Sequence, residues 1–353
     1  MSSELERAAR IAYALAREAI WYEDRCNWLG PTRSGHAALG PDLYAGTAGV
    51  ALFLAEASVV LDDRVLRAIA RGAINHALRH AGTLGDGLHA GALGALWGAA
   101  RAACVLGDDV ASCRALAPRP SGRPDVIDGR AGAVLGLLAL GSEQAAIEAG
   151  VTLLGMPLPL PCGYAHGAAG VGHALVELFA STGEERFREA GERAFEHVRS
   201  WQDPHTGSWP DLRGVSPRAA RSAPLPAAHA WCQGAAGIAP AQARADEILG
   251  GQHSDLAVAA VEVGADAVLS GGPADPCLCH GAAGIADVLL SLGEEELATA
   301  LAGRLHDAGP PGLLTGRAGV GLFCLRLVDR GVSSVLAGRL DHGVNAPVLS
   351  AKP

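Results

Sequence analysis

A glycine frame, Gly-x-x-Gly, recurs seven times along the chain, and each copy runs into an apolar stretch. The copies begin at Gly46, Gly91, Gly129, Gly167, Gly234, Gly281 and Gly316, at intervals of 45, 38, 38, 67, 47 and 35 residues. Self-similarity of this kind marks a repeat architecture, in which each unit buries its apolar face on its neighbours. The unit reads as helix, glycine turn, helix. In residues 184–199, Phe187, Ala190, Ala194, Phe195 and Val198 fall on one helical face with charges between them. Val171, Ala174, Leu175, Leu178 and Phe179 repeat that period after the preceding turn. Residues 4–20 open the series, with Leu5, Ala8, Ala12, Leu15 and Ala19 on one side. Helices after a turn carry few charges and are expected inside; the amphipathic ones before a turn are expected outside. If seven inner helices converge on an axis, their turns crowd together at one end. Glycine there permits positive φ and close backbone approach. The expected fold is all-α, with the turns forming a rim around a cavity.

The long interval holds an insertion. Residues 199–226 contain Pro204, Gly207, Pro210, Gly214, Pro217, Pro224 and Pro226, and read as loop. Trp201 and Trp209 are expected to pin it to the body, over the cavity mouth. No linker interrupts the pattern, so residues 1–344 form one expected domain and 345–353 a loose tail. Composition agrees: Ala, Leu and Gly dominate, with 47 glycines and only 4% aromatic residues. The net charge is −9 and no stretch clusters Lys and Arg, which argues against a nucleic-acid partner. No apolar run reaches the ~18 residues of a transmembrane helix, and Met1 to Arg10 has no apolar signal core. A cytoplasmic location is therefore expected. The eight cysteines then suggest small buried hydrophobes or ligands rather than disulfides.

Three turns carry chemistry. They are Trp231-Cys232-Gln233-Gly234, Cys279-His280-Gly281 and Ala165-His166-Gly167. Cys232 and Cys279 each lie two residues before their glycine. Catalytic zinc keeps three protein ligands, from thiolate and imidazole among others, and one open position. Cys232, Cys279 and His280 supply such a set for one zinc ion per chain, and the open position can take a substrate thiol. Cys277 is an alternative ligand, although it does not share the place of the other two cysteines in the frame. His166 is not beside a cysteine and suits proton transfer. Asp125 can orient or charge-balance it, with Asp128 competing for that role or serving as a helix cap. His89, in Leu88-His89-Ala90-Gly91, is read as structural.

These ordered motifs, over nearly the whole chain, resemble the lanthionine synthetase C family of peptide cyclases. The resemblance implies an α/α toroid of seven outer and seven inner helices. It maps Cys232, Cys279 and His280 to zinc ligands and His166 and Asp125 to the catalytic histidine and aspartate. It implies Michael addition: a peptide cysteine, bound to zinc as thiolate, attacks the β-carbon of dehydroalanine or dehydrobutyrine, and protonation at the α-carbon completes a thioether ring. The implied partners are a dehydrated precursor peptide and a separate dehydratase. Two departures bear on substrate contacts. Several family members carry arginine four residues before the first zinc cysteine and His or Tyr after it, whereas this chain has Ala228 and Gln233. Alternatives are addition of glutathione or another small thiol to dehydrated residues, and a non-catalytic peptide-binding scaffold. Other toroidal enzymes fit less well. A prenyltransferase needs an aromatic tunnel, and a glycoside hydrolase needs paired rim carboxylates.

Overall fold

The computed structural model describes residues 2–109, 122–220, 225–251, 254–271 and 274–336. The chain opens with α1 (Ser3–Glu18), capped by the Ser2 hydroxyl, which accepts from the Leu5 N–H. Two antiparallel hairpins follow: β1 (Ile20–Tyr22) with β2 (Arg25–Asn27), and β3 (Leu29–Thr32) with β4 (Gly35–Ala38). Helices of two layers then follow. In chain order they are α2 (Thr47–Val60), α3 (Arg64–His80), α4 (Ala92–Leu106), α5 (Arg130–Ala139), α6 (Glu143–Leu154), α7 (Ala168–Thr182) and α8 (Glu185–Ser200). After an insertion with the short α9 (Pro217–Ala220) come α10 (Ala235–Leu249), α11 (Ser254–Ser270), α12 (Ala282–Leu292), α13 (Glu295–Ala302) and α14 (Arg317–Val328).

The helices that follow a glycine turn form the inner layer: α2, α4, α5, α7, α10, α12 and α14. Each packs on the next, and α14 packs back on α2, so the layer closes on itself. Inner helices are mostly buried; α2 is buried at every position from Thr47 to Ser58. Outer helices bury one stripe. In α8 only Phe187, Gly191, Ala194, Phe195 and Val198 are buried, close to the face expected from the sequence. Among the described residues the outer layer is α1, α3, α6, α8, α11 and α13. The result is an α/α toroid.

The glycines work by close approach, not by positive φ. The first glycine of each frame caps its inner helix with φ between −95° and −142°, which any residue can adopt. The second glycine lies under the chain's own preceding loop. A Cβ there would lie 1.4–2.3 Å from the carbonyl oxygen six residues earlier, in all seven repeats. Positive φ appears instead where inner helices end, at Gly107, Gly183, Gly250 and Gly293.

This packing aligns the rim loops so that they hydrogen-bond to one another around the toroid. The N–H of Tyr44 donates to the His89 carbonyl (2.9 Å), His89 to Ile127 (3.0 Å) and Val126 to Ala165 (3.1 Å). Ala165 donates to Cys232 (2.9 Å), Cys232 to Cys279 (3.0 Å), Cys279 to Leu314 (2.8 Å) and Leu314 back to Tyr44 (2.7 Å). Each repeat contributes one link, and the circle has no free edge.

Two expectations need adjusting. The hairpins between residues 20 and 38 were not signalled by the sequence, and the insertion is not all loop. It contains α9 and a two-residue pairing of β5 (Trp209–Pro210) with β6 (Ala227–Ala228). Trp209 does pin it, donating its indole N–H to the Val198 carbonyl at 2.9 Å. The tail at 345–353 lies outside the described residues. Among the described residues no helix is long and apolar enough to cross a membrane.

The glycine account predicts a contrast. Gly284→Ala places Cβ 1.9 Å from the Leu278 carbonyl and should cost roughly 2–4 kcal/mol. Gly85→Ala meets nothing within 4 Å and should stay within about 0.5 kcal/mol. Urea midpoints measure both; equal midpoints would refute the close-approach explanation.

Candidate metal centre and its acid/base neighbour

The rim circle decides which side chains meet. Its links pass through the residue two before each glycine in six of seven repeats: Tyr44, His89, Ala165, Cys232, Cys279 and Leu314. In the remaining repeat the circle enters at Ile127 and leaves from Val126. Because Cys232 and Cys279 occupy the same place in adjacent repeats, the circle brings their side chains together.

The two thiols are buried, at 8% and 3% exposure, on backbones joined by the Cys232 N–H to Cys279 carbonyl bond, and the ionisation of each depends on the other. The phenol of Tyr44 donates to Cys279 Sγ at 2.9 Å. The Cys232 thiol is held below the usual thiol range, first by the bond from Cys279 and then by the charges of Arg213 and His166, against burial that opposes ionisation. Cys279 moves the opposite way: its bond to Cys232 and then its burial push it up. Of the two, Cys232 is therefore the one that gives up its proton first. Two soft sulfur donors on adjacent rim turns, one inclined to lose its proton before the other, suit a thiophilic cation such as zinc.

His280 is placed differently from its expected role. Its Nε2 lies 3.3 Å from Asp275 Oδ2, and both side chains are about half exposed. Among the described residues it is Asp275, Cys277 and His280, not Cys232, Cys279 and His280, whose ligand atoms converge to within 4.8 Å of one another. Cys277 is buried, its sulfur accepts from the His280 N–H at 3.5 Å, and burial pushes its thiol up to about 12. Cys277 therefore sits as a protonated thiol capping its own turn.

His166 and Asp125 also meet. His166 Nδ1 donates to Asp125 Oδ2 at 3.2 Å, and Asp125 Oδ1 accepts from the Asp128 N–H at 3.1 Å. The bond to Asp125 raises the imidazole above its ordinary value, against a partial burial that lowers it. Burial pushes Asp125 up, but the bonds from His166 and Asp128 outweigh it and the carboxyl sits low. Asp128 pairs instead with Arg123 at 3.4 Å, so Asp125 is the carboxylate that His166 touches. His89 is 2% exposed, packs edge-on against Trp231 with centroids 5.2 Å apart, and is held neutral by burial, down to about 4. It packs as part of the core.

With this geometry in place, the family model for lanthionine synthetase C-like proteins matches residues 37–337. The chain belongs to the lanthionine synthetase C-like family. The match spans all seven glycine frames. No curated protein matches it by sequence. Among solved structures it is similar to one described as nisin cyclase, at 16% identity, over 92% of this chain and 94% of that one, with a TM-score of 0.63. That likeness shows the toroidal fold.

In this LanC-like chain the sequence missed two groups at the site. Tyr44 stands two residues before Gly46, so the frame that found the cysteines could have found it. Asp275 stands outside the frame, and nothing in its sequence context marks it.

The His166–Asp125 pair is stabilising between the lowered pKa of Asp125 and the raised pKa of His166. It is lost as pH falls through the first or rises through the second. Asp125→Asn should return the His166 imidazole toward the ordinary ~6.5, as read by NMR titration of its ring protons. An unchanged His166 titration would break the assignment.

Proposed function

We propose that this chain is a zinc-dependent cyclase that joins peptide cysteine sulfurs to dehydroalanine or dehydrobutyrine as lanthionine or methyllanthionine thioethers. The observation that carries the reading is the meeting of Cys232 and Cys279, from separate repeats, beside the His166–Asp125 pair in a LanC-like fold. The residues that would hold one zinc ion are Cys232, Cys279 and His280. His280 is held by a half-exposed ion pair with Asp275, a weak interaction, and its ring can turn toward the thiols. Bound there, zinc would stabilise an incoming peptide thiol as thiolate at neutral pH.

The chain's own residues do the rest. Asp125 fixes the His166 ring through Nδ1 and leaves Nε2 for substrate. An imidazole raised above its ordinary value keeps a protonated fraction near neutral pH, so His166 can deliver a proton to Cα after sulfur adds to Cβ. Tyr44 holds Cys279 Sγ in place. The substrate of this reading is a dehydrated precursor peptide, supplied by a separate dehydratase. The cytoplasm, where thiols stay reduced, suits such chemistry.

The test is cyclisation of a dehydrated peptide, followed by loss of alkylatable thiol. His166→Ala should keep its zinc and lose roughly 10²–10⁴ in rate; full rate would remove the acid/base assignment. Cys232→Ala should weaken zinc binding and Cys277→Ser should not. The reverse result would assign the metal to the Asp275–Cys277–His280 trio.

A further inference from the structure

A closed ring of seven helices has room on its axis. With neighbours about 8–10 Å apart, it encloses a space about 10 Å across, wide enough for an extended peptide. What fills that space decides how a peptide can reach the rim: end first through the ring, or from the rim face alone.

The segment after α14 fills it. Near the end of α14, the Val332 carbonyl accepts from Arg326 Nε at 3.2 Å. Further along, the Ser333 and Ser334 carbonyls accept from the Arg101 guanidinium of α4, at 2.7 and 3.3 Å. The Ser334 hydroxyl donates to Asp287 of α12. The Leu336 carbonyl then accepts from the Trp231 indole N–H at 3.3 Å, in the turn before α10. Around the inner ring, α4 stands three places from α10 and three from α12, the widest separation that seven helices allow. A segment that touches both sides of the ring lies on its axis. Val332, Val335 and Leu336 are buried there.

Trp231 crosses the same axis nearer the rim. Its ring meets that of His89, in the turn before α4, with centroids 5.2 Å apart, and that of Tyr164 at 5.4 Å. The seat is also built electrically. Arg101, Asp287 and Arg326 are buried on mostly apolar helices, where an unpaired charge is costly. Arg101 lies 3.6 Å from Glu56, and Arg326 pairs with Asp287. Both guanidinium groups also donate to carbonyls of residues 332–334, which belong to no helix or strand and need partners once buried.

Resting on the cyclase reading, we propose that residues 329–336 and Trp231 plug the toroid axis, so that the rim takes its peptide from one face, as a loop, and never threads it through the ring. The substrate class widens accordingly. The peptide needs no free end, and a dehydrated peptide closed head to tail is a substrate.

Two measurements test this. The zinc-loaded protein is given one dehydrated peptide with a single cysteine, in linear and in head-to-tail closed form. Both should gain the thioether, with kcat/KM within about threefold of each other, since the reacting loop makes the same contacts in each. Reaction of the linear form alone overturns the proposal. Amide hydrogen exchange reads the plug directly. Residues 332–336 should exchange as slowly as the inner helices. Ser334→Ala and Arg101→Ala should each speed them by at least about tenfold while α7 stays slow. Exchange of 332–336 at the rate of an exposed loop in the parent overturns the proposal, as does unchanged exchange in both variants. A zinc-loaded parent that joins neither peptide overturns the cyclase reading, and this proposal with it.

Discussion

A closed circle of main-chain hydrogen bonds, one link per repeat, holds the rim of this toroid together. Backbone N–H and C=O groups removed from water must be paired, and seven loops converging on one axis leave such groups facing one another. Running the donors in one direction, from Tyr44 to His89 and on around to Leu314 and back, pairs them without a free end. The linked residues can be this close only because nothing protrudes beneath them, which is why a glycine recurs under each loop. The same circle sets the register of the side chains. Tyr44, Cys232 and Cys279, hundreds of residues apart in part, meet because each holds the linking position of its repeat.

That constraint was largely written in the sequence. The frame fixed the number of repeats, the inner and outer assignment, and the equivalence of Cys232 and Cys279, because each follows from spacing alone. The contact of His166 with a carboxylate was legible too. The choice of Asp125 over Asp128 depends on which carboxylate faces the neighbouring turn, and it is Asp125 that lies 3.2 Å from His166 Nδ1.

What was not legible is what spacing does not govern. The hairpins at residues 20–38 precede the first frame, and their exposed Ile20, Trp21 and Tyr22 give no buried period to read. The orientation of His280 is a side-chain torsion decided by one nearby carboxylate, Asp275. The insertion is folded back on itself by two strands of two residues, Trp209–Pro210 on Ala227–Ala228. A proline-rich stretch announces a loop but not its destination. In each case the information lies in tertiary contact rather than in periodicity.

The central claim is that the circle converts two distant cysteines into one zinc site. X-ray absorption at the zinc edge of the purified protein, beside Cys232→Ala, tests it most directly. The account predicts one zinc per chain with two sulfur neighbours at ~2.3 Å and one imidazole nitrogen at ~2.0–2.1 Å, and one sulfur fewer in the variant. A single sulfur in the parent, with oxygen and nitrogen making up the shell and no change in Cys232→Ala, would contradict it. So would a parent that takes up no zinc.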